Sequence, residues 1–245
     1  MKANTILTPL HTQIIEFLEH IEVERNLSRL TIRNYRHYLS RFADWFSDPT
    51  HTKIEDMTLE DVRKYRLYLA RLTDDRGNEL AKKTQGFHVI ALRSFLKWMI
   101  KQDKNVLAPE KIDLPKSDGL SMKFLEPEAV ERLMNQPLSS TPLGIRDRAI
   151  LEVFFSTGLR VSELVSLDRD QVDTKRKEFA VIGKGRRTRV VFLSDRAANY
   201  LDTYLVTRTD DYKPLFIRMN RDDASDLEGE SMRLTARSME RIVAK

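Results

Sequence analysis

Between Asn105 and Met122 the helical periodicity that organises the preceding residues stops. Pro109, Pro115, Ser117, Gly119 and Ser121 fall in this stretch, and no apolar face runs through it. A break of that kind in a 245-residue chain divides it into two pieces, each close to the size of a single domain. The predicted division is a helical domain over 1–104, a linker over 105–122 and a second domain over 123–245.

The first piece reads as four helices with no strand signal. Pro9 to Glu24 carries Leu10, Ile14, Phe17, Leu18 and Ile21 at helical spacing. A second helix opens at Ser28 or Thr31 and runs to Phe46, with Ile32, Tyr35, Leu39, Phe42 and Phe46 on one face. Thr58, with Asp61 three residues on, predicts an N-cap for a third helix through Val62, Tyr65, Leu69 and Leu72. A turn at Asp75–Asn78 precedes a fourth, Lys82 to Lys101, expected to turn Phe87, Ile90, Ala91, Ser94, Phe95 and Trp98 inward.

The second piece is mixed. Glu126 to Asn135 and the apolar stretch Leu143 to Ser156 read as helices, and Gly158 stops the latter as a left-handed C-terminal residue does. Another helix starts at Val161. Phe179–Ile182 and Arg189–Leu193 are β-branched and aromatic runs flanking Gly183-Lys184-Gly185-Arg186-Arg187, a hairpin with a basic tip. Helices resume over Asp195–Val206 and from Leu234 onward.

Composition removes several classes of function. Without cysteine the chain has no disulfide, thiolate zinc site, iron–sulfur cluster or cysteine nucleophile of its own. All five histidines lie at or before His88, so nothing beyond it supplies an imidazole. No apolar run reaches the roughly 20 residues that span a bilayer, and a cytoplasmic location is expected. The formal charge of +5 is modest and nearly evenly divided between the two pieces. Any site for a polyanion therefore comes from arrangement rather than bulk charge.

Three constellations carry chemistry. In Thr157-Gly158-Leu159-Arg160-Val161-Ser162-Glu163-Leu164 an arginine follows a tight turn, with a carboxylate one helical turn on. An arginine so fixed can hold a phosphate through two parallel hydrogen bonds, although an ordinary surface pair has the same spacing. Lys184, between two glycines, is suited to donate a proton or neutralise a phosphate, and a solvated turn lysine looks the same. The third is a polar face: Arg29, Thr31, Arg33, Asn34, Arg36 and Arg41 on the second helix, with Lys82, Lys83, Gln85, His88, Arg93 and Lys97 on the fourth. Basic and amide side chains on two helices suit a DNA major groove and its phosphates. A merely solvated face is the alternative.

In this order and separation the residues resemble the tyrosine recombinases (the phage-integrase family), most closely the Xer type. Leu27-Ser28-x-x-Thr31-x-x-x-Tyr35-x-x-x-Leu39-x-x-Phe42 and Ala91-Leu92-Arg93-Ser94-Phe95 are similar to the core-binding domain. Asp147-Arg148-Ala149-Ile150 through Glu163-Leu164, and Val181-Ile182-Gly183-Lys184-Gly185, are similar to the catalytic domain's first box and lysine hairpin. The resemblance implies a mainly α fold with a small antiparallel β-sheet, a two-domain clamp of a SAM-like helical core-binding domain and an α+β catalytic domain. It implies site-specific recombination of double-stranded DNA at a pseudo-palindromic site, by a homo-oligomer passing from dimer to tetramer, with no metal or other cofactor.

Residue by residue, Arg160 is then the catalytic arginine on the scissile phosphate, Lys184 the acid for the leaving 5′ oxygen and Glu163 the supporting carboxylate. Arg186 and Arg187 join the DNA-binding residues of the two helices, while Phe87 stands where many relatives carry a basic residue. The family's chemistry runs through a 3′-phosphotyrosyl intermediate. Its second box, His-x-x-Arg followed by a nucleophilic tyrosine, has no counterpart here: the last tyrosines, Tyr200, Tyr204 and Tyr212, are expected to be structural. The nucleophile is unknown, and the chain is expected to stop short of the catalytic C-terminus. It is expected to bind DNA without cleaving it; the alternative is a DNA-binding regulator or accessory protein without strand-transfer chemistry.

Overall fold

Helices form where the sequence supplies an apolar stripe and a capping group, and the computed structural model describes residues 8–47, 53–74, 76–114, 124–183, 187–219 and 228–244. The chain divides into two units, Met1–Ser121 and Met122–Lys245. In the first, α1 (Pro9–Val23) opens with proline at its first turn, where the missing N–H is not needed. Ser28 caps α2 (Arg29–Phe46) by accepting the Thr31 N–H at 3.2 Å. Thr58 and Asp61 cap α3 (Leu59–Arg71) reciprocally, each side chain accepting the other's backbone N–H. α4 (Lys82–Lys101) completes the unit.

These helices enclose one core around Phe17, Leu39, Phe42, Tyr65, Leu69, Leu92 and Phe95. Aromatic edges interlock within it: Phe17 meets Phe95 at 5.6 Å between ring centres, and Phe42 meets Tyr65 at 5.1 Å. α4 is rolled relative to the sequence reading. Ala91, Phe95 and Trp98 do face inward, together with His88, Val89, Leu92, Leu96 and Met99, but Phe87 and Ile90 are each 40% exposed. The roll is possible because His88 finds polar partners inside, whereas Phe87 lies against the Tyr38 ring at the surface.

The stretch read as a linker starts inside this unit. Val106 and Leu107 pack on the helical core, Pro109–Lys111 makes a 3-10 turn, and Ile112 is buried. Apolar side chains without helical periodicity still anchor a chain, so the periodicity break marked the end of α4 and not the end of the unit. Residues 115–122 of that stretch lie outside the described residues.

In the second unit α5 (Pro127–Met134) precedes α6 (Pro142–Thr157), which Thr141 caps through the Gly144 N–H. A short α7 (Val161–Val165) follows, then an antiparallel pair, β1 (Glu178–Ile182) and β2 (Thr188–Phe192), with Val181 opposite Arg189. Alternation puts Phe179, Val181 and Val191 in the core and leaves Ile182, Val190 and Phe192 outside. Helices α8 (Asp195–Thr207) and α9 (Ala236–Val243) close the unit, capped by Ser194 and Thr235. The fold is mainly α with a small antiparallel sheet.

α6 buries charge as well as hydrocarbon. Arg148 pairs with Glu152 one turn on and also donates to the Met134 carbonyl, and Arg196 of α8 donates to the same Glu152 at 2.7 Å. The guanidinium of Arg148 lies 4.8 Å from the Tyr200 ring centre. α5, α6 and α8 are thus tied by a network in which Arg148 and Glu152 are buried, Arg196 is partly exposed, and all three are partnered. Among the described residues no helix is long and apolar enough to cross a membrane.

Candidate active site

The end of α6 determines where the site's arginine stands. Gly158 adopts φ +59°, a conformation that strains other residues, and Thr157 closes the last turn by donating to the Val153 carbonyl at 2.6 Å. The chain reverses, Leu159 is buried, and Arg160 becomes the N-cap residue of α7. Its backbone N–H donates to Glu163 Oε2 at 2.8 Å and its Nη1 to Oε1 at 2.9 Å. The Glu163 side chain is 6% exposed and that of Arg160 63%, so a buried carboxylate holds an arginine whose head faces solvent.

A second guanidinium reaches the same carboxylate. Arg189 of β2 donates from Nη1 to Oε1 at 2.9 Å and from Nη2 to Oε2 at 2.7 Å. These bonds hold the Glu163 carboxyl down to about 2, reinforced by the Arg160 N–H and guanidinium against the opposing effect of burial. Gly183, at the end of β1, makes room for this: a Cβ there would stand 2.8 Å from Arg189 Nη1. Next to it the Gly183 N–H donates to the Arg187 carbonyl at the turn end of the strand pair, and Arg187 is exposed. Lys184 and Arg186 lie outside the described residues.

The structure therefore brings Arg160 and Glu163 together and adds Arg189, which the sequence reading took only as the start of a strand. One signal for it was present. Arg189 is two residues before the buried Val191, so both fall on one face of β2, and a charged side chain on an inward face needs a partner.

On the first unit Arg29, Arg33 and Arg36 are exposed along α2, and Lys82 and Lys83 on the first turn of α4. Among the described residues none of these five has a carboxylate within ion-pair distance. Asn34 and Arg93 are half-buried. Thr31 and Gln85 already have local partners, Thr31 the Ser28 hydroxyl at 2.8 Å and Gln85 the Leu80 carbonyl at 2.7 Å.

His88 is a correction. The sequence reading put it on the DNA-facing side, but it is 1% exposed, at the junction of α2, α3 and α4. Its Nε2 stands 3.4 Å from Arg41 Nη1 and its Nδ1 3.1 Å from Tyr65 Oη. A guanidinium only donates, so Nε2 accepts and the neutral ring donates its Nδ1 proton to Tyr65. Burial first, then the charges of Arg41 and His37, push the imidazole down to about 4. Its role is to join three helices.

The three late tyrosines sit as follows. Tyr204 is fully buried and its hydroxyl accepts the Ile217 N–H at 3.3 Å; Tyr200 lies under Arg148; Tyr212 fills the space that a Cβ at Gly229 would need.

A helical unit followed by an α+β unit, with an exposed arginine fixed by a buried carboxylate beside a hairpin, defines a two-part protein that presents a cationic side chain to solvent at one turn. Residues 123–245 match the model of the phage integrase family, and residues 14–103 that of the phage integrase N-terminal SAM-like domain; the chain belongs to the phage integrase family. It is 38% identical over 197 residues to tyrosine recombinase XerC of Roseiflexus castenholzii (strain DSM 13941 / HLO8), covering 80% of this chain and 61% of that protein. It is 30% identical over 240 residues to tyrosine recombinase XerC of Escherichia coli O157:H7, covering 98% and 76%. A lambda integrase tetramer bound to a Holliday junction shares the fold with a TM-score of 0.69 at 15% identity, covering 96% of this chain and 64% of that one. The chain thus spans about three-fifths of the length of the Roseiflexus relative.

Proposed function

We propose that this chain is the DNA-binding and phosphate-holding part of a site-specific tyrosine recombinase, whose reaction cleaves and rejoins DNA strands through a 3′-phosphotyrosyl link. The observation that carries this is the Arg160 turn: one guanidinium nitrogen is spent on Glu163, and most of the head faces solvent. Held this way the arginine meets a phosphate without rearranging, and its charge strengthens against the phosphorane as negative charge accumulates there. Lys184, in the same reading, protonates the leaving 5′ oxygen, and Arg186 and Arg187 hold the neighbouring backbone.

On the first unit Arg29, Thr31, Arg33, Asn34, Arg36, Lys82, Lys83, Gln85 and Arg93 are proposed to contact a pseudo-palindromic DNA site. Lysines in the first turn of α4 oppose the helix dipole in the free protein, an arrangement that a bound phosphate relieves. Assembly on DNA from dimer to tetramer is part of the proposal, with the lambda integrase tetramer as its support, and the cytoplasm is the proposed location because the proposed substrate is DNA.

No histidine lies between residues 89 and 245, so these residues supply no imidazole base. We propose that the chain by itself binds DNA and does not cut it.

Binding to short duplexes across a salt series tests the DNA reading. The logarithm of affinity should fall linearly with that of salt, by about 0.9 for each phosphate neutralised. Absent or salt-insensitive binding sinks it.

A further inference from the structure

Glu163 lies between two arginines, and their charges do not cancel. One carboxylate carries a single negative charge; Arg160 and Arg189 carry one positive charge each. Arg189 engages both carboxylate oxygens through two separate nitrogens, the paired geometry that neutralises a carboxylate most completely. Arg160 engages the same carboxylate through one side-chain nitrogen and its backbone N–H. The side chains of Arg189 and Arg160 are 39% and 63% exposed, so the less exposed arginine makes the closer pairing.

We infer that Arg189 is a positioning residue that neutralises Glu163, so that Glu163 orients Arg160 without consuming the positive charge Arg160 offers to a phosphate. The inference rests on the reading of Arg160 as a phosphate-binding arginine. A lone Arg160–Glu163 pair is well oriented but electrically neutral, and it attracts an anion weakly. Adding Arg189 restores one net positive charge to the group and leaves Arg160 oriented. Gly183 fits this account, because a Cβ at that position would collide with the Arg189 nitrogen that bonds Oε1.

The test measures affinity of this chain for a short mixed-sequence duplex, with its salt slope, in a set of variants whose folding is checked by thermal melting. Arg160→Ala and Arg189→Ala should each lower the slope by about 0.9 and affinity about tenfold near 0.1 M salt. Arg189→Ala combined with Glu163→Gln should recover the affinity to within about threefold, since removing the uncompensated carboxylate returns the charge to Arg160. Arg189→Ala combined with Glu178→Gln, which restores the same net charge at the far end of the hairpin, should not recover it. Arg189→Lys keeps the charge without the paired geometry and should rescue.

Loss in Arg189→Ala that Glu163→Gln fails to repair, or that Glu178→Gln repairs equally, overturns the inference, as does failure of Arg189→Lys to rescue. If Arg160→Ala leaves binding unchanged, the phosphate reading of Arg160 fails instead. Should duplex binding be absent, the Arg160 side-chain nitrogen resonance titrated with inorganic phosphate reads the variants that keep Arg160. The order wild type above Arg189→Ala, with recovery by Glu163→Gln, is still expected there, and any other order overturns the inference.

Discussion

Arg189 and Glu163, 26 residues apart in sequence, meet through two hydrogen bonds of 2.9 and 2.7 Å that tie the hairpin to the first turn of α7. The carboxylate is buried, so the pair cannot exchange its partners for water without cost, and breaking it leaves a charge stranded. The same carboxylate orients Arg160. Hairpin and arginine turn therefore share one fixed point.

Loss of the Arg160 head should separate chemistry from binding. In a recombinase that unites this sequence with a nucleophilic tyrosine, Arg160→Ala should lower formation of the covalent protein–DNA complex by about 10²–10³ or more. Duplex affinity should fall only about tenfold. Trapping on a nicked suicide duplex, run beside a binding titration, measures both. Equal losses would mark Arg160 as a structural anchor.

Glu163 should make the second unit acid-sensitive in a defined window. Its carboxyl titrates near 2 when folded, against an ordinary value of 4.5, so its stabilisation is complete above about 4.5 and is lost as pH falls toward 2. Glu163→Gln should cost on the order of 2 kcal/mol at pH 7, allowing for solvent screening. Urea unfolding of both proteins at pH 7 and pH 3 should show that gap narrowing.

His88 should have a parallel effect in the first unit, over a different range. The imidazole is held neutral at about 4, below the ordinary 6.5, so stability is full above 6.5 and declines as pH falls toward 4. The loss should be on the order of 2 kcal/mol. Both tryptophans, Trp45 and Trp98, belong to this unit, so their fluorescence during unfolding reports it alone. In His88→Gln the dependence between pH 6.5 and 4 should flatten.

A methyl group at Gly183 should act through Arg189. With the added carbon 2.8 Å from Nη1, the guanidinium must shift, and the expected shift loosens its pairing with Glu163. Gly183→Ala should then destabilise the second unit by about 1 kcal/mol. It should also move the Glu163 carboxyl upward in carbon-detected NMR titration. An unchanged Glu163 titration would show that Arg189 adjusts without leaving it.

Much of the local structure follows from neighbours in sequence. The Thr58–Asp61 capping pair, the left-handed Gly158, the two strands and the Arg160–Glu163 spacing are legible because periodicity and contacts three or four residues apart depend on little else. The roll of α4 is not legible in this way. Phe87 and His88 are adjacent, and hydropathy favours burying the phenyl ring; Tyr65 and Arg41, from two other helices, reverse that order by satisfying the imidazole. Val106, Leu107 and Ile112 likewise show no pattern, yet find a core to rest on.

The sequence by itself determined the element order, the helix ends and the turn that presents Arg160, because each depends on backbone geometry and short-range hydrogen bonds. Only the tertiary structure decided that Arg189 shares Glu163 with Arg160 and that His88 lies inside. Those outcomes depend on which side chains long-range packing brings within about 3 Å of a buried polar group, and that proximity is set by the assembled fold.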